Sequence, residues 1–241
     1  MKIYADTHTH TVASTHAFST VTENCTAAAA AGMKGVALTD HFGAMHDAPH
    51  DWHFYSMRNL PRKLCGVYLL RGAEVNITDG KGNIDLIEPM MISVMEWVVA
   101  SIHDSVYSPK SLEECTSVYI GAARNPVVDC IGHPDSEDFP FDYEQVIREL
   151  KEHNKLLEIN NSRLNRGGDA AKRYTEMLRI CKKHEVSVIL NSDSHFHEQV
   201  GRLDNAVELV EAVGFPEELV LNADWDRFAE YVSAKHPHIF D

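Results

Sequence analysis

Residues 1–10 read MKIYADTHTH, a short apolar run that gives way to Asp6, His8 and His10. Alternate side chains of a strand share a face, so an HxH pair at a strand end can present two imidazoles to one cation. The same junction recurs along the chain. ALTDHFG (37–43) delivers His41, RGAEVN (71–76) delivers Glu74, ASIHD (100–104) delivers His103 and CIGHPD (130–135) delivers His133. EINNS (158–162) ends in Asn160 and Asn161, LNSDSH (190–195) carries Asp193 and His195, and His16 lies further along the first loop. A barrel gathers the C-terminal ends of all its strands at one mouth, whereas an open sheet would spread them along an edge. The repeated junction therefore favours an α/β barrel.

Seven strands are predicted from short runs rich in Val, Ile and Leu, at residues 2–6, 35–39, 67–75, 97–101, 128–131, 156–160 and 187–191. Helical spacing fills 22–31, 143–153, 170–184 and 204–213, the alternation that a parallel sheet with crossover helices produces. The first of these helices is expected to start at a Thr cap and stop at Gly32, and the second follows the breaker Pro140. A short eighth strand is expected at 218–221, before a last helix capped by Asp224 that runs through Lys235. No linker rich in Pro, Gly or Ser divides the chain, so residues 1–241 are expected to form a single barrel domain. A chain of this length buries enough surface to fold without disulfides or metals, so a metal would be there for function.

The 22 Lys+Arg against 36 Asp+Glu give a formal charge of -14, which repels polyanions and disfavours nucleic acid as the main partner. The start of the chain lacks the apolar core of an export signal. The most apolar stretch, 92–102, is short and interrupted by Glu96, so no membrane partner is expected and the location is read as cytoplasmic. Cys25, Cys65, Cys115, Cys130 and Cys181 are scattered without CxxC spacing and are read as buried small hydrophobes.

His8, His10, His16, His41, Glu74, His103, His133, Asp193 and His195 are more ligands than one ion can use, whereas two or three ions sharing a bridging carboxylate would use them all. Imidazole-rich ligation suits Zn first, with Fe or Mn as alternatives, over Mg or Ca. Of the 15 histidines, His153, His184, His236 and His238 read as ordinary surface or core residues, and His46 and His197 as loop residues. His50 and His53 in DAPHDWHF (47–54) lie in a loop that could line the mouth, where substrate contact and loop packing stand as alternatives. Asp6 and Asp40 could orient ligand imidazoles or merely cap strand ends.

On DTHTHT (6–11), STHAFST (14–20), TDH (39–41), the Glu74 strand end, His103, His133 and SDSH (192–195), the chain resembles the PHP (polymerase and histidinol phosphatase) superfamily of metal-dependent phosphoesterases. VASTHAFST (12–20), DAPHDWHF and EINNS look especially like its YcdX-like phosphatase branch. The resemblance spans nearly the whole chain. It implies a distorted (βα)7 TIM-like barrel with a trinuclear site at the C-terminal ends of the strands. In that pattern His8, His10, Glu74 and Asp193 would hold one ion, and Glu74 would bridge to a second held by His103 and His133. His16, His41 and His195 would hold the third. The nine positions match the family pattern without departure.

The reaction expected is hydrolysis of a small-molecule phosphomonoester by in-line attack of a hydroxide shared between two cations about 3.5 to 4 Å apart. Glu74, Asp193 and His195 are assigned to catalysis. Arg163, Arg166 and Arg202 follow the sixth and seventh strands and could grip nonbridging phosphate oxygens, or be ordinary solvated charges. The leaving group's proton could come from a metal-bound water, Asp193 or His53. The competing readings are an amidohydrolase-like metal hydrolase, a DNA-end exonuclease and a non-catalytic metal-binding module. A third ion suits a dianionic phosphate better than an amide, and the acidic charge disfavours DNA. The oligomeric state stays open.

Overall fold

Apolar runs at the predicted places pair into a nearly closed barrel in the computed structural model, which describes residues 1–237 and 239–240. The reading of His238 falls outside them. The strands are β1 (Ala5–Asp6), β2 (Gly35–Leu38), β3 (Lys63–Leu64), β4 (Val67–Asn76), β5 (Trp97–Ser101), β6 (Cys130–Ile131), β7 (Leu156–Asn160) and β8 (Val188–Asn191). Their order is β1-β2-β4-β5-β6-β7-β8, every neighbouring pair parallel. β3 lies off this path, antiparallel to β4. The turn joining them, Cys65 and Gly66, has φ of 53 and 88°, as a tight hairpin needs. That turn exposes Cys65 and corrects its reading as a buried residue; the other four cysteines are buried.

Around the strands run α1 (Val21–Ala30), α2 (Asp51–Ser56), α3 (Pro89–Ile92), α4 (Leu112–Arg124), α5 (Tyr143–Glu152), α6 (Asn161–Arg166), α7 (Ala170–His184), α8 (Asp204–Ala212) and α9 (Trp225–Lys235). The first helix begins earlier than the sequence suggested because Thr20, not Thr22, caps it. Thr20 Oγ1 accepts from the Glu23 amide at 3.3 Å while Glu23 Oε2 accepts from the Thr20 amide at 2.7 Å, a reciprocal capping box. α4 was not foreseen, because its Thr116–Ile120 segment is β-branched and aromatic and hides the helical period. Ser111 caps it, and it buries Cys115, Val118, Tyr119 and Ala122. No helix among the described residues is long and apolar enough to cross a membrane.

The expected eighth strand at 218–221 is instead two short 3-10 turns, Glu217–Leu219 and Leu221–Ala223. They wedge between β8 and β1, where Val220 makes a single parallel bridge to Val188. The Asn222 side chain does the ladder's work there, since its Nδ2 donates to Ala5 O and Leu190 O and its Oδ1 accepts from the Leu190 amide. One amide thus satisfies backbone groups on both flanking strands.

Strand period two sorts the barrel interior by height. Ala5, Ala37, Leu70, Trp97, Val99, Cys130, Leu156 and Ile189 form one buried cluster inside the ring, closed at its N-terminal end by Phe228 and Val232 of α9. On the same faces further along the strands stand Glu74 and Asn76 on β4, Ser101 on β5, and Glu158 and Asn160 on β7, all fully buried. The outward faces pack against the helices in a larger apolar cluster that includes Val36, Leu38, Leu69, Val98 and Leu157.

Candidate metal centre

The barrel mouth brings together all nine ligand candidates. Glu74 is at its middle. Its Oε2 lies 3.4 Å from His8 Nε2, 3.5 Å from His10 Nε2 and 2.9 Å from His41 Nδ1. Its Oε1 lies 3.3 Å from His103 Nε2 and 2.8 Å from His133 Nε2. Asp193 Oδ1 closes the first group, 3.6 Å from His8 Nε2 and 3.3 Å from His10 Nε2. The two oxygens of one carboxylate therefore face two different sets of imidazoles. On the outer side the His16 ring stacks 4.5 Å from His195 and 5.2 Å from His41, centroid to centroid. Two groupings of ligand atoms occur there, His10 with His41 and His195, and His16 with His41 and Asp47.

Ring orientation is imposed from behind. Glu158 Oε1 accepts from His8 Nδ1 at 2.7 Å, and Asn76 Oδ1 accepts from His103 Nδ1 at 2.7 Å. Asp47 Oδ2 does the same for His16 Nδ1 at 2.7 Å, and the Asp193 carbonyl for His195 Nδ1 at 3.2 Å. With these acceptors holding a proton on Nδ1, each Nε2 is the nitrogen that can offer a lone pair to a cation. The orienting groups are themselves pinned. Asn76 Nδ2 donates to Phe42 O and Asp85 Oδ2, while Glu158 accepts from Asn160, Asn191 and the His133 amide.

Two ligand candidates sit in the left-handed region, His133 with φ of 27° and Asp193 with φ of 52°. Non-glycine residues are uncommon there, and such strain concentrates where the fold must aim a side chain. Gly132 makes the arrangement possible. A Cβ at that position would overlap Ser101 Oγ, which donates to Glu74 Oε1 at 2.6 Å.

The charge of these groups suits cations. Burial opposes ionisation of Glu74, Asp193 and Glu158, yet His8 and its neighbours hold all three carboxyls below their usual range. Burial likewise opposes protonation of His8, but Glu158, Glu74 and Asp193 overcome it and raise that imidazole well above its ordinary value. His10, where burial wins, falls to about 4. Buried anions of this density need positive charge, from protons or from metal ions, and metal binding would displace the protons. His8 Nε2, His10 Nε2, His41 Nδ1 and Glu74 Oε2 are buried and make no well-aligned hydrogen bond, although each nitrogen lies 2.9 to 3.5 Å from Glu74 Oε2. Four orphaned donor atoms of ligand type at one point fit a transition-metal ion, because leaving them unpaired would cost folding free energy with no return.

The other expectations divide. Asp40 accepts from Thr11, Ser14 and His53 and not from an imidazole of the cluster; its link is indirect, through Ser14 Oγ, which lies 3.5 Å from His10 Nδ1. Asp6 accepts from the amides of Ser192 and Gly201 and so caps the strand ends. His50 is exposed and caps α2 by accepting from the Trp52 amide, and His53 lies 3.1 Å from Asp40; neither lines the cavity over the cluster. That cavity, about 380 Å³, is lined by Arg163 and Arg166, while Arg202 lines a neighbouring one. Arg163 Nε donates to both oxygens of fully buried Asp135, at 3.1 and 3.3 Å, and Tyr174 Oη donates to Asp135 Oδ1 at 3.0 Å. The guanidinium is thus held by one edge, with its terminal nitrogens left for the cavity.

The sequence reading passed over Glu158, Asn76 and Asp47. The signals for the first two were present: a lone acid in the apolar run LLEIN, and a polar residue two positions beyond Glu74 on one strand face. Asp47 comes from a loop, where no periodicity points to it.

A family model described as PHP domain matches residues 6–234. A protein of Clostridium novyi named "Probable phosphatase" is 41% identical over 237 residues, covering 98% of this chain and 96% of that protein. Another of that name, from Acetivibrio thermocellus, is 42% identical over 239 residues, 99% of each. Among solved structures, histidinol phosphate phosphatase of Lactococcus lactis, complexed with zinc, L-histidinol and phosphate, superposes with a TM-score of 0.59 at 17% identity. The match covers 90% of this chain and 95% of that one, a likeness of fold.

Proposed function

Since the chain belongs to the PHP domain family, we propose that it is a metal-dependent phosphatase that hydrolyses a small-molecule phosphomonoester. The whole chain would act as one barrel domain. The observation that carries the reading is Glu74, whose two oxygens face His8 and His10 on one side and His103 and His133 on the other. That geometry suits a bridging ligand between two ions, with Asp193 completing the first set and His16, His41 and His195 the third. Zn fits this imidazole-rich donor set best, with Fe or Mn next. The names of the relatives, and the zinc and phosphate held by the structural neighbour, support the same reading.

Three divalent cations held there would supply a nucleophile from water near neutral pH and neutralise the charge on phosphate. The chain's own residues do the rest. Arg163, held edge-on by Asp135, presents its free nitrogens to nonbridging oxygens, and Arg166 lies beside it in the same cavity. Both act to orient phosphorus for in-line attack. Arg202, in the adjoining cavity, faces the alcohol side. Asp193 and His195 stand at the boundary of the two cavities, between the phosphate and the leaving alcohol.

The test is turnover of p-nitrophenyl phosphate by protein of measured metal content. We expect phosphate release that is lost on chelation and restored by Zn, Mn or Fe. Fully metal-loaded protein that releases phosphate from no monoester would overturn the proposal.

A further inference from the structure

Beside the cluster the mouth opens into a second cavity of about 550 Å³, and His16, Arg166, Asp193 and His195 line both chambers. A monoester whose phosphorus sits against the cluster has room for its alcohol in this side chamber. The wall there is unlike an ordinary ligand pocket. Such pockets are lined mainly by apolar and aromatic side chains, whereas among the described residues none of the side chains lining this one is a hydrocarbon. The planar groups there are the His16 and His195 rings and the Arg166 and Arg202 guanidiniums, and no hydrocarbon face is available to cover an aryl group.

Its hydrogen-bonding groups are prearranged. Asn165 Oδ1 accepts from Asn205 at 2.6 Å and from Asn161 at 3.4 Å, which leaves the Asn165 amide hydrogens for the cavity. Asn161 is fixed in turn, its Oδ1 accepting from the Ala206 amide at 2.9 Å. Gln199 Oε1 accepts from the His195 amide at 3.3 Å, leaving its own NH2 free. Glu198 and Arg202 add a carboxylate and a guanidinium to the same wall. An apolar alcohol would strip water from these groups and return no hydrogen bond, so the wall selects against it.

We propose that this chamber takes the leaving alcohol and that the alcohol is a polyol, making the substrate a sugar phosphate or another hydroxyl-rich, non-aromatic monoester. The assignment rests on the phosphatase reading above. Turnover of a hexose phosphate, an acyclic polyol phosphate, a nucleoside monophosphate and p-nitrophenyl phosphate is compared, together with calorimetric binding of a non-hydrolysable sugar phosphonate.

The sugar phosphate is expected to exceed the nucleotide in kcat/KM by at least about 10-fold. Asn165→Ala and Glu198→Ala should each lower the ratio of sugar phosphate to p-nitrophenyl phosphate turnover by about 10-fold, through KM, and weaken phosphonate binding. Preference for the nucleotide or aryl ester, with that ratio unmoved in both variants, overturns the polyol assignment and leaves the phosphatase reading standing. Phosphonate binding that both variants weaken, with no monoester hydrolysed, overturns the phosphatase reading and keeps the chamber. Neither binding nor hydrolysis overturns both.

Discussion

At the N-terminal end of the barrel Phe228 packs 5.7 Å from both Trp97 and Trp225, ring centroid to centroid, and α9 seals the ring with hydrocarbon. At the opposite end the same strands and the loops that follow them carry Glu74, Glu158 and Asp193 among imidazoles, and the inward nitrogens of His8, His10 and His41 have no hydrogen-bond partner. Both ends are buried, but only one is buried favourably. Apolar area removed from water stabilises the fold, whereas desolvated ions and unpaired donors work against it. The lower barrel thus supplies stability that the mouth consumes, a division expected where function needs strained and charged groups.

The sharpest way to break this contrast is at its charged centre. Glu74→Gln should lower turnover of p-nitrophenyl phosphate by at least about 10³-fold, the scale of losing a group that organises charge in the transition state. Elemental analysis should find fewer ions per chain. Full metal content with unaltered turnover would remove Glu74 from the centre of the site. At the other end, Phe228→Ala should cost about 3 kcal/mol of stability, read as a fall in denaturation midpoint. Folded Phe228→Ala protein should keep its metal stoichiometry, and its loss would mean that the two ends are not independent.

Two smaller effects sharpen the comparison. Glu158→Gln leaves His8 Nδ1 a weaker acceptor, so metal affinity should fall about 10- to 100-fold in a competitive chelator titration, and an unchanged curve would deny the carboxylate its orienting role. At the sealed end, Lys155 donates to the carbonyls of Val128 and Pro126. Burial, aided by Lys235, pulls its ammonium down to about 8. The folded state therefore releases this proton at lower pH than the unfolded chain does, and the unfolded chain binds more protons between the two values. Stability relative to Lys155→Met should rise with pH from about 8 toward about 10.4, the ordinary lysine value. A flat difference across that window would show that the fold does not desolvate the ammonium.

Much of this was legible in the chain. β5, β7 and α7 have the bounds that apolar runs and helical spacing gave, and the strand-end residues named from sequence do converge at one mouth. Other features were hidden because their reason is non-local. Residues 218–221 carry strand-like composition, yet the gap they fill is bridged by the Asn222 side chain and admits only one bridge pair. The sequence reads His50 and His53 as one loop with Asp47, but the chain turns Asp47 toward His16, leaves His50 as a helix cap and takes His53 into α2.

The sequence by itself determined where strands end and which ligand types stand at those ends, because side-chain period and residue chemistry are local properties. Only the tertiary structure decided that one carboxylate would face two sets of imidazoles, that Glu158, Asn76 and Asp47 would fix the rings from behind, and that Arg163 would be held by Asp135. Those relations join residues far apart along the chain. They exist only once parallel strands close into a ring and their far ends share one low-dielectric space.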